Sequence, residues 1–258
     1  MKLLVTNDDG IDSVFLHELC AALQQAGHDI YVVAPLREQS WTGAAKTRNR
    51  PVKSTAVDHQ LGCPTWTVDG TPSDCVNIAL AHLLPIKVEG VVSGINVGFN
   101  CSLAFILASG TVAGAWEGAL HGLPALAVSQ DVSEEVYNQL KEQGGLPDET
   151  LRQSLQNSAR HAAALAGKLL PATPPRSFTV HNVNFPFPCL PDTAIKSTVP
   201  AHLFMPGLFS PADDSGTHRL LWTAGRDVSP AGLLTDLACM ADRHISHSVL
   251  DYRCLGQG

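Results

Sequence analysis

Residues 1–12 read Met-Lys-Leu-Leu-Val-Thr-Asn-Asp-Asp-Gly-Ile-Asp, and this stretch decides the fold prediction. The apolar run Leu3-Leu4-Val5 is typical of a buried strand in a parallel sheet. Two adjacent aspartates, Asp8 and Asp9, and a glycine follow the strand. Apolar residues then recur at helical spacing, at positions 14, 16, 19, 22 and 23. The stretch therefore predicts a first strand that passes directly into a first helix, with two carboxylates at the junction.

Asp8 and Asp9 are placed where open α/β sheets bind their ligands, at the carboxyl end of a strand. Two adjacent carboxylates need a positive partner there, and a hard divalent cation such as Mg²⁺ or Mn²⁺ prefers oxygen ligands. Asp-Asp-Gly is also a common turn sequence, because Asp caps helices and Gly tolerates positive φ. On these residues alone, a metal site and a structural turn both stay open.

Strand and helix signals alternate along residues 1–130. The patterns predict strands at 2–6, 30–34, 52–58, 65–68, 88–93 and 125–129, and helices at 13–26, 110–120 and 151–170. Such alternation predicts an α/β fold with a doubly wound, mostly parallel sheet.

The character of the sequence changes after Pro171, where prolines become dense. A strand is predicted at 178–183, extended segments and loops at 192–229, and a helix at 233–241. We expect residues 1–258 to form one domain, with an α/β core at 1–170 and a proline-rich extension at 171–258. Such an extension is suited to contacts between subunits.

Composition excludes several classes of protein. The net charge of −7 argues against a protein that binds nucleic-acid duplexes by neutralising phosphates. The seven cysteines are irregularly spaced and include no Cys-x-x-Cys, so we expect reduced thiols in the cytoplasm and no zinc site. The sequence shows no signal peptide and no apolar run of membrane-spanning length, so no membrane partner is expected.

Four segments place small polar residues after a predicted strand or at the start of a helix: 7–10, 35–40, 93–100 and 109–114. The first three would converge on one edge of a parallel sheet. In the fourth, Ser109-Gly110-Thr111 opens a helix, where free backbone N–H groups favour an anion such as phosphate. An acidic metal site beside a phosphate site suggests a metal-assisted phosphoryl hydrolase. Thr71-Pro72-Ser73-Asp74, by contrast, is explained as a structural helix cap.

The chain resembles the SurE family, the stationary-phase survival proteins that act as metal-dependent nucleoside-monophosphate phosphatases. The matching strings lie at 4–11, 33–40, 70–76, 93–100, 109–112 and 181–186. The resemblance covers nearly the whole chain. It implies a Rossmann-like core with a swapped C-terminal extension, and a homodimer or tetramer.

The resemblance also implies a set of site residues. The family's metal ligands fall on Asp8, Asp9, Ser40 and Asn96, which would hold one Mg²⁺ or Mn²⁺ per subunit. Asp8 is also the candidate for the nucleophile or for the base that activates water. Asn100 and the turn Ser109-Gly110-Thr111 would hold the phosphate of a nucleoside 5′- or 3′-monophosphate.

Two departures from the family affect substrate preference. Trp41 stands where the family usually has glycine, and residues 101–108 are apolar where the family has a polar, acidic stretch. Phe105 and its apolar neighbours would either line a pocket for a nucleobase or pack against the core or a subunit. Because of the altered loop, a second possibility stays open: a nucleotide-binding regulatory protein with reduced or lost turnover. A mechanism with a phosphorylated Asp8 is a further alternative.

Overall fold

The computed structural model describes residues 1–142, 145–221 and 225–254. The strands are β1 (Lys2–Thr6), β2 (Asp29–Pro35), β3 (Ser54–Val57), β4 (Thr65–Val68), β5 (Gly90–Val97), β6 (Ala125–Gln130), β7 (Thr179–Phe185), β8 (Ile195–Thr198), β9 (Leu203–Phe204), β10 (Arg226–Asp227) and β11 (Ile245–Asp251). The helices are α1 (Val14–Gln25), α2 (Pro72–Ile78), α3 (Ser102–Ala108), α4 (Gly110–Leu120), α5 (Glu134–Glu142), α6 (Glu149–Ala172) and α7 (Asp236–Ala241). A π-helical turn, Ala79–Leu83, extends α2.

One large sheet runs in the order β3-β4-β2-β1-β5-β6-β7-β11-β8. The six neighbouring strands β4-β2-β1-β5-β6-β7 within this order are mutually parallel. Strand β3 pairs antiparallel with β4, and β11 pairs antiparallel with β7. The α/β class and the mostly parallel sheet predicted from the sequence are confirmed, and the two antiparallel pairings lie outside the parallel block.

Helices cover both faces of the sheet. Leu3 and Val5 of β1 pack on the face that α1 and α6 cover, whereas Leu4 belongs to the apolar cluster on the opposite face with α2 and α4. All three side chains are fully buried. Alternate side chains of a strand point to opposite faces, so a continuous apolar run is what a doubly covered strand requires.

The sheet has its topological switch point at β1, where successive strands are added first on one side and then on the other. The chain passes from β1 to β2 on one side of it, whereas β5 pairs with its other side. Ligands of doubly wound sheets bind in the crevice at such a switch point. Asp8 and Asp9 follow β1, and Asn96 lies near the carboxyl end of β5, so the fold brings these three residues to the switch point.

Strand β5 is longer than predicted. The strand predicted at 88–93 runs from Gly90 to Val97, so Asn96 lies within the strand and not in a loop after it. The pairing of β5 with β6 shifts between Ser93 and Asn96, and Gly94 has a φ of +132°. An irregularity of this kind lets a strand continue past a break in its ladder.

The cap predicted at Thr71 is confirmed. Its hydroxyl accepts from the N–H of Asp74 at 3.2 Å, and the Asp74 carboxylate accepts from the N–H of Thr71 at 2.9 Å. This reciprocal capping box begins α2. The predicted terminal helix is shorter than expected, because Thr235 caps it and it starts at Asp236.

Across the described ranges, no single helix is both long and apolar enough to cross a membrane, although α3 and α4, bent by 72° relative to each other, meet that test as a pair by length and composition.

Candidate active site

The site is built on the turn that follows β1. The side-chain amide of Asn7 donates to the carbonyl of Gly10 at 2.8 Å, and the N–H of Ile11 donates to the carbonyl of Pro35 at 3.0 Å. Gly10 has a φ of +95°, a conformation that glycine adopts without strain. These contacts fix the turn against the end of β2 and set the direction of the two aspartates within it.

Asp8 points toward the start of α4. Its Oδ1 accepts a short hydrogen bond from the hydroxyl of Thr111, and only 3% of Asp8 is exposed. A Cβ placed on Gly110 would lie 2.8 Å from the Cβ of Asp8 and 3.1 Å from the carbonyl oxygen of Gln39. Only a glycine fits between these groups. The turn predicted to hold phosphate therefore lies directly on Asp8.

Asp9 points to the other side of the turn. Its Oδ2 accepts from the N–H of Val97 in β5 at 3.1 Å, and the residue is half-buried. The two adjacent carboxylates thus have different partners, one on α4 and one on β5.

Burial controls the protonation of both carboxyls. Loss of water contact raises the pKa of Asp8 to about 6, although the Thr111 hydroxyl acts in the opposite direction. The same loss of water, together with the charge of Asp8, raises the pKa of Asp9 well above its ordinary value. Among the described residues, no Lys, Arg or His forms an ion pair with either aspartate. A bound cation would supply the missing positive charge.

Ser40 and Asn96 are the two predicted ligands with neutral oxygens. The amide nitrogen of Asn96 donates to the carbonyl of Gly98 at 2.7 Å, which leaves its side-chain oxygen for another partner. Ser40 lies on the loop after β2, where the N–H of the preceding residue, Gln39, donates to the carbonyl of Asp8 at 2.7 Å. In the described part of the chain, no group of three or more His, Cys, Asp or Glu residues has the arrangement of a metal site. The set of two carboxylates, a hydroxyl and an amide oxygen fits Mg²⁺ or Mn²⁺ and not zinc.

The turn at the start of α4 uses its two hydroxyls locally. The Ser109 hydroxyl accepts from the N–H of Val112 at 3.0 Å and caps the helix, and the Thr111 hydroxyl donates to Asp8. The N–H of Ala113 donates to the carbonyl of Ser109 at 3.1 Å. The N–H groups that precede Val112 are therefore the ones this turn can offer to an anion.

Asn100 is held by a network that the sequence analysis did not predict. Its side-chain amide donates to Ser129 at 2.8 Å, its N–H donates to Asn184 at 2.7 Å, and its carbonyl accepts from Asn182 at 2.8 Å. These partners are fully buried on β6 and β7. The repeated asparagines of the string 181–186 were the available signal, because two buried amides on one strand need polar partners.

The segment 101–108, left open between pocket and packing, packs in part against the core, and its pocket role stays a prediction. It forms α3, in which Ile106 packs in the core and Phe105 is 7% exposed, whereas Leu103 and Leu107 are 45% and 71% exposed. Its start is anchored at a distance, since the N–H of Ser102 donates to the buried carboxylate of Asp236 at 2.8 Å.

Comparisons with known proteins identify the family of the chain. The family model "Survival protein SurE" matches residues 3–204. The 5′-nucleotidase SurE of Desulforudis audaxviator is 36% identical over 254 residues, which are 95% of this chain and 90% of that protein. The 5′-nucleotidase SurE of Desulfovibrio desulfuricans is 41% identical over 189 residues, 72% of this chain and 66% of that protein. The crystal structure of the SurE protein from Aquifex aeolicus superposes with a TM-score of 0.73 at 27% identity, covering 99% of this chain and 97% of its own. The chain belongs to the SurE family of survival proteins.

Proposed function

We propose that this chain is a phosphomonoesterase that hydrolyses nucleoside 5′- or 3′-monophosphates to nucleoside and phosphate. The observation that carries this function is the contact between Asp8 and the Gly110-Thr111 turn. It joins a carboxylate pair suited to a cation with a helix N-terminus suited to a phosphate. The relatives named 5′-nucleotidase SurE support the nucleotide as substrate.

Asp8, Asp9, Ser40 and Asn96 would hold one divalent ion per subunit, Mg²⁺ or Mn²⁺. The donor set supports this assignment, because all four groups offer oxygen and neither carboxylate has a cationic partner among the described residues. When bound, such an ion polarises a phosphoryl oxygen and makes a water molecule more acidic.

The protein's own groups orient the reaction. The first N–H groups of α4 would bind the phosphoryl oxygens, and Asp8, which lies against that turn, would orient the attacking water and accept its proton. Thr111 fixes the Asp8 carboxylate through its hydroxyl. Asn100, held rigidly by Ser129 and Asn184, would provide a further polar contact to the substrate.

The proline-rich part of the chain, residues 171–258, would serve as an extension to the α/β core of one domain. Exposed apolar side chains are frequent in it, among them Phe204, Phe209, Leu220 and Leu233. Surfaces of this kind mark interaction sites. We infer that the extension joins subunits in a homodimer or tetramer.

A phosphate-release screen tests the function. Purified protein is incubated with nucleoside 5′- and 3′-monophosphates and with generic phosphate esters. We expect release from the nucleotides that stops when a chelator removes divalent ions and returns with Mg²⁺ or Mn²⁺. Full activity in excess chelator would contradict the metal assignment. Nucleotide binding without any phosphate release would favour the regulatory alternative.

A further inference from the structure

Trp41 is an exposed aromatic residue directly after Ser40. Its side chain is 45% exposed, although large aromatic side chains bury substantial area when they can. Its φ is +63°, a left-handed conformation that is uncommon for a bulky residue. Strain of this kind persists where the surroundings enforce it, and it is concentrated at functional sites.

Two further aromatic rings, Phe105 and Phe99, form a cluster with Trp41. The Phe105 ring contacts it edge-on, with centroids 5.8 Å apart and planes at 80°, and Phe99 contacts Phe105 at 5.8 Å and 89°. Each ring comes from a segment that also carries a site residue: Trp41 follows Ser40, Phe99 precedes Asn100, and the helix of Phe105 leads into Ser109. An aromatic cluster thus stands beside the polar site.

Backbone contacts fix the loop of Trp41 on both sides. Two residues before it, the N–H of Gln39 donates to the carbonyl of Asp8 at 2.7 Å. Two residues after it, the N–H of Gly43 donates to the carbonyl of Ala108 at 2.9 Å. Ala108 ends α3, one residue before the turn at α4. Trp41 is therefore held between the aspartate of the site and the segment that leads into its anion-binding turn.

We propose that Trp41, supported by Phe105 and Phe99, is the platform on which the nucleobase of the substrate stacks. This inference rests on the proposed function, in which the phosphate lies at the start of α4. A nucleoside monophosphate carries a planar aromatic group one sugar away from its phosphate, and the chain offers an exposed ring beside the turn. Stacking uses the π-face that every base has, so the platform favours nucleotides over base-free phosphates and discriminates little among bases.

The kinetic test compares substrates with and without a base at saturating metal. The measured quantity is kcat/KM for adenosine monophosphate divided by kcat/KM for ribose 5-phosphate. We expect Trp41→Ala to lower this ratio about tenfold, in the range of alanine substitutions at base-stacking residues, and Trp41→Phe to preserve most of it. Phe178→Ala, which removes another exposed aromatic residue with a left-handed φ of +53°, just before β7 and outside the site, should leave the ratio unchanged. An unchanged ratio in Trp41→Ala would overturn the proposal.

A binding test uses fluorescence and needs no turnover. Adenosine, which has a base but no phosphate, should quench part of the tryptophan fluorescence of the wild-type protein in a saturable way, and ribose should not. The adenosine effect should be lost in Trp41→Phe. Equal quenching in both proteins, or none in the wild type, would overturn the platform. If the wild type releases phosphate from neither substrate, the proposed function fails, whereas the fluorescence result still decides the role of Trp41.

Discussion

Gly110 leaves no room for a side chain beside Asp8. In Gly110→Ala the new methyl group would lie 2.8 Å from the Cβ of Asp8, so the Asp8 carboxylate has to move. We expect kcat/KM to fall about 100-fold, because a displacement of about 1 Å at a catalytic group has an effect of that size. Steady-state kinetics measure the loss. Gly207→Ala is the matched control, since a Cβ at Gly207 meets nothing within 4 Å. Wild-type kinetics in Gly110→Ala would show that Asp8 does not act beside this turn.

The two aspartates should respond differently to the same substitution. Asp8→Asn should lose turnover most, because Asp8 lies against the phosphate turn, whereas Asp9→Asn should mainly weaken metal binding and recover partly at high metal concentration. Titrating activity with Mg²⁺ or Mn²⁺ separates the two effects. Near wild-type turnover of Asp8→Asn at saturating metal would contradict its assigned role.

At the scale of elements, α3 depends on a carboxylate from the far end of the chain. The buried Asp236 accepts from the N–H groups of Ser102, Ala201 and Leu237 at 2.8 to 2.9 Å. Asp236→Asn replaces one acceptor by a donor that faces these N–H groups. We expect the free energy of unfolding to fall by about 2 kcal/mol, as for hydrogen bonds to charged groups, and KM to rise because α3 loses its anchor.

Urea unfolding and substrate titration measure the two effects of Asp236→Asn. The exposed Asp242 ends the same helix, so Asp242→Asn removes an equal charge and should change neither quantity. If both variants behave alike, the loss is a general effect of charge and not of anchoring.

The predictable elements are those with local signals. Strand β1 and helix α4 have the predicted bounds, because an apolar run and a serine cap mark them. Helix α3 was not predicted, since its start depends on Asp236. Strand β11 was not predicted because its inward residues Ser246 and Ser248 are polar, and they are satisfied by hydrogen bonds to Thr198 on β8. Helix α5 was not predicted either, because it is polar overall and turns a short apolar face, Val136 and Leu140, to the core.

The site, too, contains some features that the sequence predicts and others that it does not. The proximity of Asp8, Asp9 and Asn96 follows from the strand pattern, because carboxyl ends of parallel strands meet at one edge. The contact of Thr111 with Asp8 joins residues 103 positions apart, and the hold on Asn100 comes from strands β6 and β7. Contacts between residues so far apart in the sequence depend on how the strands are aligned in the sheet. The hydrophobic periodicity of the sequence does not predict that alignment.

Over the whole molecule, a chain of hydrogen bonds joins the core to the extension. The Thr173 hydroxyl donates to the carbonyl of Leu169 at 2.8 Å, so its oxygen accepts from Nε2 of His181 at 2.7 Å. Nδ1 of His181 then accepts from Nε2 of His247 on β11 at 2.9 Å. Both imidazoles are neutral in this arrangement. Burial, with the neighbouring His247, lowers the pKa of His181 to about 4, and burial also lowers the pKa of His247.

This pair makes stability depend on pH. The unfolded chain protonates His181 near pH 6.5 and the folded chain only near pH 4, so its contribution is present at neutral pH and is lost as the pH falls through this window. We expect a loss of about 1 kcal/mol between pH 7 and pH 5, since water moderates the effect at partly covered rings. Urea unfolding at the two pH values should show a smaller difference in His181→Gln. His82→Gln, at an exposed histidine, should keep the wild-type difference.

Because Ser102 is anchored by Asp236, the parts of the site become available in a fixed order during synthesis on the ribosome. The two residues are 134 positions apart, so the chain has already made its aspartates and the strands up to β7 when α3 still has no acceptor for its first N–H. Domains begin to fold from the N-terminus during synthesis. The part of the site near α3 would therefore be completed last, and a nascent chain stalled before Asp236 would hold the proposed metal ligands without the anchored helix that we place beside the nucleotide.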